Sequence, residues 1–60
     1  MSVKAKIILQ DEEGRTIMQD SIYHTNEEKL RGTVQEVITR LFVPQMKPGY
    51  KISISEVLKG

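Results

Sequence analysis

Cysteine and tryptophan are both absent from this 60-residue chain, and histidine occurs once. Without cysteine no disulfide can staple the fold, and the compartment loses its best sequence marker. One histidine cannot supply the nitrogen and sulfur ligands of a structural zinc site. No cofactor is expected either, since neither the GxxxxGK[ST] nor the GxGxxG pattern occurs and the four glycines are scattered. Long apolar runs are missing too. The longest, Ile7-Ile8-Leu9 and Leu41-Phe42-Val43, fall far short of a membrane span, and Met1-Ser2-Val3-Lys4 lacks the apolar core of a signal peptide. A complete cytoplasmic protein with no membrane association is the expectation.

An excess of one charge is the last thing lacking. Nine Lys and Arg stand against eight Asp and Glu, a net charge of +1. That is too balanced to advertise a polyanionic partner by bulk charge. Length allows one domain, residues 1–60, with no linker, repeat or low-complexity tract inside it. A domain this small buries only about 60% of the surface its unfolded chain exposes. Lacking disulfides and metal, it must rely on a good core or on a partner chain.

What is present is periodicity. Val3, Ala5, Ile7 and Leu9 alternate with Lys4, Lys6 and Gln10, with Ile8 as the exception, which marks a half-buried strand over residues 3–10. Asp11-Glu12-Glu13-Gly14 reads as a turn in which Gly14 takes a positive φ. Its three carboxylates suit a solvated turn better than a calcium loop, whose ligands alternate over a longer stretch.

Residues 15–23 form the ambiguous strand, because Ile17 and Tyr23 lie on one parity and Met18 and Ile22 on the other. A three-residue loop, Glu12-Glu13-Gly14, sets Leu9 opposite Ile17 and Lys6 opposite Asp20, which faces opposite charges and keeps Asp20 out of the core.

Apolar residues at 30, 34, 37, 38, 41 and 42 predict a helix over residues 26–43. Thr25 with Glu28 matches a capping box. A second box, Thr33 with Glu36, offers a later start near Val34, with Gly32 otherwise on the wet face. Pro44 ends the helix near Phe42 or Val43. After a loop punctuated by Pro48-Gly49, Tyr50, Ile52 and Ile54 alternate with Lys51, Ser53 and Ser55 in a third strand ending near Leu58.

The fold class that follows is α+β, β-β-α-β, a three-stranded antiparallel sheet of order 2-1-3 with one helix on one face. The expected helix-facing set includes Ile17, Tyr23, Leu41 and Ile54. The other face is expected to carry Lys4, Lys6, Ile8, Met18, Asp20, Ile22, Lys51, Ser53, Ser55 and Val57, with nothing to cover it.

No residues converge as a nucleophile with a base or as a paired acid and base, so no enzyme is expected. His24, the one histidine, reads as a junction residue before the helix. Two binding functions remain. The first is a non-catalytic interaction or regulatory protein acting through the uncovered sheet face, as a homodimer or on a larger protein, with Ile8, Met18, Ile22 and Val57 as contacts. The second is a small nucleic-acid-binding protein using Lys4, Lys6 and Lys51 on that same face. Asp20 and the lack of an aromatic there weigh against the second. The segment Val43-Pro44-Gln45-Met46 is either a contact patch or a cover over the end of the core.

Overall fold

The computed structural model describes the backbone of residues 2–59 and the side chains of residues 2–56. Two antiparallel strands, β1 (Ser2–Gln10) and β2 (Thr16–His24), form a hairpin. A helix α1 (Glu27–Val37), a π-turn (Ile38–Phe42) and a 3₁₀ turn (Val43–Gln45) follow, and β3 (Lys51–Lys59) closes the chain. β1 is central and pairs antiparallel with both neighbours, giving the order β2-β1-β3. The α+β fold, the strand order and the helix-on-one-face arrangement are therefore those expected.

The hairpin turn is closed by its first residue. Asp11 Oδ1 accepts from the amides of Glu13 and Arg15, each at 2.9 Å, and the Gly14 amide donates to the Asp11 carbonyl at 3.0 Å. Gly14 sits at φ +84°, where a side chain would be strained. These amide donors, that of Arg15 foremost, hold the Asp11 carboxyl below its usual range despite some desolvation.

The register of β2 differs from the expected one, and the cause is local. Next to the turn the three-residue loop holds, with Gln10 opposite Thr16. Between Gln10 and Leu9 a β-bulge inserts Ile17, so Leu9 pairs with Met18, Ile7 with Asp20 and Ala5 with Ile22. One extra residue reverses the parity of the rest of the strand. Met18 and Ile22 thus face the helix: Ile22 is 9% exposed and Met18 packs against the core. Ile17 and Tyr23, expected inside, are 46% and 63% exposed. The bulge places two aliphatic side chains inside and leaves the bulkier, hydroxyl-bearing Tyr23 wet. Its cost is Asp20, which faces the helix side. That carboxylate stays half-buried at the edge and accepts from the amide of Ser21 at 2.9 Å.

Helix α1 starts at Glu27, with Asn26 rather than Thr25 as its cap. Asn26 Oδ1 accepts from the Lys29 amide at 3.2 Å. Glu27 and Glu28 in the first turn complement the helix dipole. The later capping box is unused, and Gly32 lies on the exposed face with nothing within 4 Å of a notional Cβ.

The apolar stripe contains two adjacent doublets, 37/38 and 41/42, and a π-turn resolves the second. The Val43 amide donates to the Ile38 carbonyl, five residues back. Pro44 has no N–H for the Arg40 carbonyl and its ring crowds that group, which favours the wider turn upstream. Phe42 consequently reaches the core at 0% exposure while Leu41 is 51% exposed. Ala5, Ile7, Leu9, Ile22, Leu30, Val34 and Phe42 form the buried core.

The helix packs on β1 and β2. Ile54 of β3 is directly opposite Ile7, yet it is 49% exposed where Ile7 is fully buried. The edge of the helical cover therefore runs between β1 and β3. The segment after the π-turn does not extend that cover, since Val43 is 53% and Met46 39% exposed.

Candidate functional site

Antiparallel partners share a face, so the register assigns the uncovered side of the sheet directly. Lys4 is opposite Tyr23, Lys6 is opposite Ser21 and Ser55, Ile8 is opposite Gln19 and Ser53, and Gln10 is opposite Lys51. Lys4, Lys6 and Lys51 thus lie together, as expected. Ile8 lies among them, half-buried. Met18 and Ile22 do not: the bulge turns both inward. Val57 pairs with Lys4 through the backbone, but its side chain lies outside the described residues. The apolar contact set proposed from sequence is therefore reduced to Ile8 on this face, with the bulged Ile17 at the margin.

The same shift changes the electrostatics. Asp20 leaves the face, and none of the eight carboxylates remains on it. Asp11, Glu12 and Glu13 are in the hairpin turn, Asp20 and Glu56 are on the helix side of the sheet, and Glu27, Glu28 and Glu36 are on the helix. All three arginines are committed elsewhere: Arg15 to Asp11 and Glu13, Arg31 to Glu27 and Glu56, Arg40 to Glu36. Among the described residues no lysine joins an ion pair. Among the described residues, three uncompensated positive charges lie together on one face, in a chain whose net charge is only +1. The bulk balance conceals a polarised surface.

Tyr23 adds an aromatic that the sequence reading placed in the core. Its ring lies under Lys4 Nζ, 5.3 Å from the centroid, a cation–π contact worth about 0.5–1 kcal/mol at an exposed site. Gln10, Gln19, Ser21, Ser53 and Ser55 supply neutral donors and acceptors around the lysines. Along β1, Lys4 and Lys6 are separated by about 7 Å, and Lys51 beside Gln10 extends the stripe by about 13 Å.

Two other places were candidates. His24 is half-buried, and its Nε2 lies 2.8 Å from Thr33 Oγ1, tying the end of β2 to the helix. It lies at the junction before the helix, as expected, but half-buried and hydrogen-bonded rather than exposed. A groove of about 360 Å³ on the outer flank of the helix is lined by Thr33, Glu36, Val37, Arg40 and Leu41, with the Glu36–Arg40 pair at 3.0 Å across it. It is open, and the one hydroxyl among these lining residues, that of Thr33, is the one bonded to His24. Among the described residues no group of three or more His, Asp or Glu is placed to hold a metal ion, and no helix is long and apolar enough to cross a membrane.

No family model, curated protein or solved structure matches the chain.

Proposed function

We propose that this chain is a non-catalytic binding domain whose working surface is the open sheet face, and that its ligand is single-stranded nucleic acid. The observation that supports this most is the pairing of Lys4 with Tyr23 on a face that carries Lys6 and Lys51 and no carboxylate. A single strand needs cations spaced along its phosphates and flat apolar surfaces under its bases. The lysines serve the first need and Tyr23 the second, with serine and glutamine side chains donating to phosphate or base edges. On binding, Lys4 swings from the ring to a phosphate and a base takes its place over Tyr23. A duplex is less well served, because one exposed aromatic on a broad flat face has no route to stacked bases. The reading of a larger protein partner on this face loses support with the removal of Met18 and Ile22 to the core.

The test is fluorescence anisotropy of a labelled single-stranded oligonucleotide across a salt series. Three phosphate contacts give a slope of log K against log salt of about −2. Tyr23→Ala lowers affinity by about 1–3 kcal/mol, and the combined Lys4→Glu, Lys6→Glu, Lys51→Glu variant abolishes binding with the fold intact. Binding that survives the triple charge reversal contradicts the proposal, as does its absence from the wild type at low salt.

A further inference from the structure

We infer that the outer edge of β3 pairs antiparallel with β3 of a second copy of this chain, centred on Ser53, to give a symmetric dimer with one continuous six-stranded sheet. The inference stands apart from the nucleic-acid reading and starts from the exposed half of β3. Ile54 is 49% exposed on the helix side although its ladder partner Ile7 is fully buried. The molecule is also less compact than its size allows. It exposes 4426 Å², where a monomer of 6.9 kDa exposes about 4000 Å². Its radius of gyration is 12.1 Å against about 10.4 Å for a compact chain of this length. The excess of roughly 400 Å² is about half of what each partner buries in a standard interface, and the open edge of β3 supplies more.

The two sheet edges differ in a way that selects β3. β2 carries a bulge and the inward-pointing Asp20, both devices that block edge pairing. The described part of β3 has no bulge. Its one inward carboxylate, Glu56, is met by Arg31 at 3.8 Å.

Among the described residues, the pattern of β3 is complementary to itself in one register. Only even shifts keep the two faces matched. Pairing about Ser53 sets Ile52 against the partner's Ile54, twice by symmetry, and Lys51 against the partner's Ser55. Moving one step toward the C-terminus sets Ile52 against the partner's Glu56. Moving one step the other way leaves only three strand residues in the ladder. The chosen register also joins the two lysine faces side by side on one surface, doubling its length without opposing like charges directly.

The absence of cysteine makes the test clean. Light scattering at about 100 µM is expected to give twice the chain mass, the concentration range of a weak interface. Ile54→Lys raises the dissociation constant at least tenfold, while Ile17→Lys, at similar exposure on the other edge strand, leaves it unchanged, with circular dichroism confirming both folds. Independently, Ser53→Cys forms a disulfide-linked dimer on mild oxidation and Ser21→Cys does not, because only residues at the dyad come within the Cα separation a disulfide tolerates. A monomeric wild type at that concentration overturns the inference. So does cross-linking of Ser21→Cys faster than Ser53→Cys, or an Ile17→Lys variant that dissociates where Ile54→Lys does not.

Discussion

Truncating Phe42 and Leu41 in turn probes the π-turn, because the two adjacent residues are alike in the sequence pattern and opposite in the structure. Phe42 is fully buried in the core cluster, whereas Leu41 is half exposed. Phe42→Ala removes a large side chain from a closed site and costs about 3–5 kcal/mol. A chain of this length has a total stability of about 3–9 kcal/mol, so the variant is expected to be largely unfolded at room temperature. Leu41→Ala loses about half of a side chain whose complete burial is worth roughly 1.5–3 kcal/mol, so its cost is about 1 kcal/mol. In a domain this small, that corresponds to a melting-point drop of about 4–8 °C. Urea titration followed by circular dichroism gives both numbers, and the native signal at zero denaturant shows whether Phe42→Ala folds at all. Equal costs for the two truncations, or a larger one for Leu41, would refute the π-turn and restore a regular helix through residue 43.

The remaining expectations are smaller. Asn26→Ala removes the helix cap and costs about 1 kcal/mol by urea titration, while Thr25→Ala changes stability by less than about 0.5 kcal/mol. The depressed carboxyl of Asp11 contributes stability above its unfolded pKa of about 3.9, and that contribution is lost as pH falls through its lower folded value. Asp11→Ala therefore flattens the acid limb of a stability-against-pH curve below about pH 4, and an unchanged limb would remove Asp11 as its source. Asp20→Val raises the melting temperature, since a half-buried carboxylate facing the core side is replaced by an apolar group, and it increases association by unblocking β2. A lower melting temperature would show that the Asp20 contact with the Ser21 amide outweighs its desolvation.

Much of the fold was legible because the strongest patterns are regular. The alternation of β1 and the apolar stripe from Leu30 each follow one period, Pro48-Gly49 marks the loop before β3, and antiparallel pairing with a right-handed crossover gives the strand order. The face assignment of β2 was not legible from parity and charge. Pairing Lys6 with Asp20 was a sound electrostatic choice for a regular ladder, and the three-residue loop holds at the turn. A bulge, however, lets both preferences coexist: the turn keeps its geometry, and Met18 and Ile22 still reach the core. The one available signal was the split itself, with Ile17 and Tyr23 on one parity and Met18 and Ile22 on the other, since a strand that is apolar on both parities invites an inserted residue. The doublet Leu41-Phe42 ahead of Pro44 marked the π-turn in the same way. Lys4, Lys6 and Lys51 are legible in the sequence, whereas by parity Tyr23 reads as core and Asp20 as part of their face. The site therefore looked poorer in sequence than in three dimensions.

The reading of the open face is tested most directly by titrating the ¹⁵N-labelled chain with a short single-stranded oligonucleotide and following every amide. The account predicts shifts confined to one face of the sheet, largest at Lys4, Lys6, Ser21, Tyr23 and Ser55, fading as salt is raised, with Thr33, Glu36 and Arg40 on the helix unmoved. Shifts centred on the helix groove instead, or none at low salt, would contradict it.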